Sequence, residues 1–184
     1  VDDGSQDETL AVAREYAAKD DRIRVLHQAN AGSGAARNAA IATANADFVA
    51  YLDADDMLAD NYMPAMLQLM LDFPDHDIYS SDGLYVFEDG STRLVFDYGE
   101  STAVTLEDLI WDCRILGGGA LVRSYVIRAL GGFREHLYGE DYDLWLRALA
   151  AGYSHIASAE PLYIYHLCVE NQKSKDPASG ARSA

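Results

Sequence analysis

The chain has 184 residues, with 30 acidic against 14 basic side chains, 49% hydrophobic residues and only 4 prolines, which describes one globular domain and excludes a disordered or collagen-like polymer. A formal net charge of −16 opposes sequence-independent binding to nucleic acid or anionic lipid, because both depend on Lys and Arg neutralising phosphates. Cys113 and Cys168 are too few for a disulfide framework and point to a reduced, cytoplasmic compartment, and no apolar stretch reaches the ~20 residues that span a bilayer.

Val1-Asp2-Asp3-Gly4-Ser5 opens without Met, in what reads as the end of a strand entering a tight turn, so an N-terminally truncated piece is expected. Ser5 with Glu8 predicts a capping box for a helix that keeps Leu10, Ala13 and Ala17 on one face and runs to about Lys19. Ile23 and Val25 predict a short strand, and a second helix covers about Ala35 to Ala44. Phe48-Val49-Ala50-Tyr51-Leu52 is continuously apolar, as buried parallel strands are. Strand, helix, strand, helix, strand predicts an α/β fold with a doubly wound, mostly parallel sheet.

Beyond Asp56 a helix with Pro64 in its first turn is expected to about Phe73, then a strand from Ile78 to Ser81. Tyr85 to Phe87 and Leu94 to Phe96 predict a hairpin turned at Asp89-Gly90. Thr105 with Asp108 caps a short helix carrying Trp111, and Gly117-Gly118-Gly119 precedes a strand over Ala120 to Val122 and a helix over Tyr125 to Leu130. A helix from Glu140 to Ala150, with Leu144, Trp145 and Leu149 on its apolar side, and a strand from Leu162 to Tyr165 make the second half more mixed than the first. Residues 1–174 are expected to form a single domain, and 175–184 a flexible polar tail.

The carboxylates bunch at Asp2-Asp3, at Asp53 to Asp56 and at Glu140 to Asp143, an arrangement that repels itself unless metal or solvent relieves it. Ligands of doubly wound sheets lie at the carboxyl ends of the strands, so the first two clusters are expected to face one crevice. Asp53-Ala54-Asp55 after a buried strand sets two carboxylates on one side of an extended turn, able to share a hard cation such as Mg2+ or Mn2+. Such a cation borrows phosphate oxygens, which reconciles the negative chain with a nucleoside diphosphate ligand. Taken alone, the same turn is more often the solvated cap of the next segment.

Four stretches stand in order: Val1 to Asp7; Asn30-Ala31-Gly32-Ser33-Gly34-Ala35-Ala36-Arg37-Asn38-Ala39; Leu52 to Asp56; and Gly139-Glu140-Asp141-Tyr142-Asp143-Leu144-Trp145-Leu146-Arg147. In order and spacing they resemble the inverting family 2 glycosyltransferases, over Val1 to about Ser174. The resemblance implies the glycosyltransferase A fold, a nucleotide-sugar donor, most readily a UDP-sugar, and Mn2+ or Mg2+. It implies a nucleotide-binding half at about 1–60 and an acceptor half at about 78–174, working in the synthesis of cell-surface polysaccharide or glycan. The acceptor implied is a hydroxyl of a saccharide or lipid-linked saccharide, and the setting is cytoplasmic or peripheral at the inner membrane face. What the chain lacks is the family's opening strand with its Tyr/Asn turn.

By the same resemblance Asp3 or Asp2 contacts base and ribose, with capping of the next helix as the alternative. Arg37 matches the arginine near the base or pyrophosphate, while Gly32 and Gly34 let a ligand approach the backbone. Asp53 matches the residue that touches ribose or metal, Asp55 the principal metal ligand, and Asp56 either helps or orients the turn. Asp141 matches the catalytic base and Glu140 its neighbour. A helix N-terminus lowers carboxylate basicity, so burial or like charge would have to raise it. His166 resembles the histidine that completes the metal site, where imidazole favours Mn2+, although a single histidine is as readily structural. His27, His76, His136 and His155 match no motif and read as surface or packing residues, and Gly117-Gly118-Gly119 reads either as room for acceptor or diphosphate or as a flexible connection.

Two rivals stand beside this reading. A sugar nucleotidyltransferase would show a Gly-rich basic phosphate loop near the start, which the residues present lack. A non-catalytic or incomplete nucleotide-binding fragment is favoured by the missing strand, whose absence exposes a sheet edge that a homo-oligomer or a further segment would cover.

Overall fold

The computed structural model describes residues 1–167; Cys168, Asn171, Ser174 and the tail at 175–184 lie outside the described residues. In chain order the elements are α1 (Thr9–Ala17), α2 (Ser33–Thr43), β1 (Phe48–Ala50), β2 (Met57–Leu58), α3 (Tyr62–Asp72), β3 (Ile78–Val86), β4 (Thr92–Leu94), α4 (Leu106–Trp111), β5 (Leu121–Arg123), α5 (Ser124–Ala129), α6 (Glu140–Ala150) and β6 (His155–His166). The sheet runs β1-β5-β3-β6-β2, with β4 paired to β3 beside that path.

Strand period sorts the core into two layers. Ile78 and Val122 face one side, where Leu109 of α4, Val126 and Ile127 of α5, and Leu144 and Trp145 of α6 cover them. Their neighbours Tyr79 and Leu121 face the other side, against Tyr62, Met66 and Leu69 of α3. Helices therefore lie on both faces of an α/β sheet, as expected. The pairing within it is mixed: among the described residues only β3 with β6 is a parallel ladder, whereas β1 with β5, β5 with β3, β2 with β6 and β4 with β3 are antiparallel.

Several local expectations change. Ile23 to Val25 forms no strand, because the adjoining chain offers a single parallel bridge, Asp2 to His27. The Ser5–Glu8 capping box is absent: the Ser5 amide donates to Asp2 Oδ1 at 3.3 Å and the Thr9 amide to Asp7 Oδ1 at 3.0 Å, so neighbouring aspartates cap the entry. Leu10, Ala13 and Ala17 are nonetheless the half-buried stripe of α1. The expected strand at Ile78 and the first arm of the hairpin are one nine-residue strand, β3. Its partner β4 stops at Leu94 because the buried Asp82 carboxylate takes the amides of Phe96 (3.0 Å) and Asp97 (2.8 Å) out of the ladder. β6 starts at His155, seven residues before the strand expected at Leu162, and absorbs Pro161 through register shifts opposite Ser81 to Gly83. The Thr105–Asp108 capping box and the bounds of α6 are as expected.

Candidate functional site

Asp3 is bound by its own chain. Its carboxylate accepts from the amides of Ala31 (2.9 Å) and Gly32 (2.8 Å) and from Gln28 Nε2 (2.7 Å), and these bonds, Ala31 foremost, hold it below the usual carboxylate range. Gly32, at φ 92°, is the residue before α2, so Asp3 fixes the entry of the helix that carries Arg37. Asp2 is 4% exposed and meets His27 Nδ1 at 2.6 Å, while hydrogen bonding from Ser5, then His27, lowers its pKa. His27, expected as a surface or packing residue, is exposed and forms part of this corner.

Arg37 stands at the centre. Its Nη2 donates to Asp53 Oδ1 at 2.8 Å and its Nη1 to Glu140 Oε1 at 2.6 Å, with the guanidinium 5.5 Å from the Phe133 ring centre and 6.0 Å from that of Tyr51. Burial opposes its charge, but Asp53 and Glu140 outweigh that and raise its pKa further. Two motifs far apart in sequence are thereby tied through one side chain. The tie borders a cleft of about 390 Å³ whose walls include Ser33, Ala36, Tyr51, Asp53 and Ala54. Tyr51 Oη in that wall finds no hydrogen-bond partner among the described residues.

The acidic turn divides its labour. The Asp56 amide donates to the Asp53 carbonyl at 3.2 Å and closes the turn. Asp56 itself is 8% exposed and accepts from Tyr163 Oη (2.6 Å) and the His166 amide (3.2 Å), so it orients the turn on β6; burial raises its pKa against those two bonds. Asp55 is exposed and makes no hydrogen bond or ion pair among the described residues, and Asp53 keeps one oxygen free of Arg37. Two outward carboxylates two residues apart fit a hard divalent cation, which takes one or two carboxylates plus substrate phosphate oxygens. Among the described residues no three His, Cys, Asp or Glu side chains gather as a closed cage, so Asp53, Asp55 and His166 are not a preassembled three-ligand set. His166 reaches the turn through its backbone amide.

Asp141 lies in the first turn of α6, after Gly139 in the left-handed region. Its Oδ1 accepts from the Tyr142 amide at 2.8 Å. Burial raises its pKa, reinforced by Glu140, and wins over the Tyr142 bond and the Arg37 charge. The lowering expected from the helix dipole is therefore overcome by burial. A Cβ on Gly117 would stand 2.2 Å from Asp141 Oδ2, and one on Gly118 2.1 Å from Cζ of the Tyr163 ring. The Gly119 amide donates to the Tyr51 carbonyl at 2.7 Å and its carbonyl accepts from Tyr62 Oη at 2.6 Å. This segment is bare because it is tightly packed, and neither a loose connection nor open room for a ligand describes it.

The model of the family described as "Glycosyl transferase family 2" matches residues 1–111, more than half of the chain. The chain belongs to glycosyltransferase family 2. EpsH of Bacillus subtilis (strain 168), named as a candidate glycosyltransferase, is 29% identical over 179 residues, which cover 91% of this chain and 51% of EpsH. Staphylococcus aureus TarS, residues 1–349, solved with UDP-GlcNAc, superposes with a TM-score of 0.77 at 21% identity over 95% of this chain and 50% of the other. The mannosyltransferase PcManGT of Pyrobaculum calidifontis, solved with GDP-Man and Mn2+, gives a TM-score of 0.62 at 18% identity over 94% and 47%. The fold is that of the glycosyltransferase A class, and the chain spans about half the length of these relatives.

Within this family 2 chain, the matched stretch holds Asp2, Asp3, Arg37, Asp53 and Asp55, while Glu140, Asp141 and His166 lie beyond it. Sequence reasoning missed Tyr163, His27 and the contact of Gly117 with Asp141. A run of three glycines was the available signal, since close approach is one reason for bare backbone. Cys113 is half-buried, and burial, then Asp141, pushes its thiol up to about 12, so it holds no thiolate at neutral pH. His155 is a packing residue, as expected: fully buried, it accepts the Val104 amide at Nδ1 (3.3 Å) and faces Ser80 Oγ at Nε2 (2.8 Å). No helix among the described residues is long and apolar enough to cross a membrane.

Proposed function

We propose that this family 2 chain is the donor and base-bearing part of a metal-dependent inverting glycosyltransferase that moves a sugar from a UDP-sugar to an acceptor hydroxyl. The observation that carries the reading is Arg37, which holds the acidic turn at Asp53 and the start of α6 at Glu140 in one place. Asp141, next to Glu140, is the proposed base: the acceptor hydroxyl gives its proton to this carboxylate as its oxygen attacks the anomeric carbon from the face opposite the diphosphate. Burial that raises its pKa supports that role. Asp55, with the free oxygen of Asp53, would hold Mn2+ or Mg2+, which when bound supplies charge neutralisation for the departing diphosphate.

Asp3 shapes the entry to α2 and Asp2 holds Ser5 and His27 beside it, and their proposed part in donor binding is to hold the wall against which base and ribose lie. A UDP donor is supported by the likeness to TarS with UDP-GlcNAc, and metal use by that to PcManGT with Mn2+. The acceptor is proposed to be a saccharide or lipid-linked saccharide, and the setting the cytoplasmic side of a membrane. We treat residues 1–174 as one domain with a donor half at 1–60 and an acceptor half at 78–174.

Calorimetric titration with UDP, once with Mn2+ and once with EDTA, tests the reading. Binding that appears or strengthens with Mn2+ is expected, followed by UDP release from a UDP-sugar. Equal affinity in both conditions refutes the metal assignment.

A further inference from the structure

Tyr163 on β6 is 1% exposed, yet it touches both sides of the site. Its hydroxyl donates to Asp56 Oδ2 at 2.6 Å, and Asp56 closes the turn that begins at Asp53. Its ring fills the space that a side chain on Gly118 would need and lies against Gly119, while the adjoining Gly117 abuts Asp141. Asp56 also takes the amide of His166, three residues further along the same strand. A phenylalanine would supply the same ring packing and lose the hydrogen bond to Asp56.

We propose that Tyr163 is the positioning residue of this site: through Asp56 it sets the turn bearing Asp53 and Asp55, and through Gly118 it seats the segment against which Asp141 rests. This rests on the reading of Asp55 as a metal ligand. Groups that orient ligand-bearing elements typically govern metal affinity by about 10- to 100-fold without touching the ion.

The test uses the full chain as wild type, Tyr163→Phe, Asp56→Asn and the double variant, with thermal melting to show that each folds. Manganese binding in the presence of UDP, read by electron paramagnetic resonance, is expected to weaken about tenfold in Tyr163→Phe, with UDP affinity in EDTA unchanged. The double variant is expected to lose less than the sum of the two single losses, since both changes act on the shared Tyr163–Asp56 hydrogen bond. Amide exchange at Asp56 and Gly119 is expected to quicken about tenfold on losing that bond. If wild type shows no Mn2+ dependence, the metal reading fails, and the exchange rates alone decide the positioning role. If Tyr163→Phe binds Mn2+ and exchanges as wild type does, the inference is overturned. Should Tyr163→Phe not fold, Asp56→Asn carries the same two measurements, and wild-type behaviour in both overturns the inference in the same way.

Discussion

Replacing Gly117 with alanine adds one carbon at the most crowded point near the proposed base. The new Cβ would lie 2.2 Å from Asp141 Oδ2 and 2.9 Å from Asp141 Cβ. Rotating the carboxylate relieves the first contact and leaves the second, so α6 or the 117–119 segment must shift by several tenths of an ångström and the carboxylate by about 1 Å to regain ordinary contact distances. Gly117 is not among the glycines at positive φ, so its backbone accepts alanine without strain and the whole effect falls on Asp141. Overpacking of this kind costs about 1–3 kcal/mol of stability. A displacement of about 1 Å at a reacting group costs roughly 100-fold in rate. The assay is UDP release from a UDP-sugar with water as acceptor, which uses the same base, run beside UDP titration and thermal melting. We expect kcat to fall about 100-fold with UDP affinity unchanged and the chain folded. A kcat within twofold of wild type would show that Asp141 is not the base, and lost UDP affinity would show that the glycine segment serves the donor.

Asp55→Asn is expected to abolish the Mn2+-dependent part of UDP binding and leave the melting temperature in place; unchanged affinity in calorimetry counts against it as the ligand. Arg37→Ala leaves Glu140, 8% exposed, as an unpaired buried charge and is expected to cost about 3–5 kcal/mol in urea unfolding. Because the raised pKa of Asp141 must be exceeded for it to accept a proton, kcat/KM is expected to fall on acidification already above the usual carboxylate range, and Asp141→Asn to lose turnover while keeping donor binding. His155, driven by burial down to about 3, stays neutral in the fold while the unfolded chain takes up a proton near 6.5. Stability is therefore expected to decline by about 1.4 kcal/mol per pH unit as pH falls from about 6 toward that lower value, and His155→Gln to flatten the slope in pH-dependent melting.

The parts legible in the sequence are those governed by neighbours. α6 begins and ends where its acidic first turn and its Leu144-Trp145 pair place it, and the Asp89-Gly90 turn and the Thr105 box are local chemistry. Where local signals compete, the sequence misleads: Asp2 takes the Ser5 amide that the expected box needed, and Asp7 takes the Thr9 amide one residue beyond it. The central fact of the site was illegible because Arg37 and Glu140 are 103 residues apart. A motif arginine reads as a donor ligand, and only the fold reveals that two carboxylates already claim it. Likewise three glycines read as freedom until Asp141 and Tyr163 occupy the space beside them.

The bond from Arg37 to Glu140 also has a consequence for the order in which the protein assembles. A chain synthesised as far as Asp56 contains Asp3, Arg37, Asp53 and Asp55, yet its arginine has one carboxylate instead of two and lacks the Phe133 ring beside it. Closing so long a loop costs chain entropy before any contact offsets it, so such pairings form late. The donor side and the base consequently mature together, in the step that docks α6. The nascent chain carries its acids early and acquires a working centre only at the end.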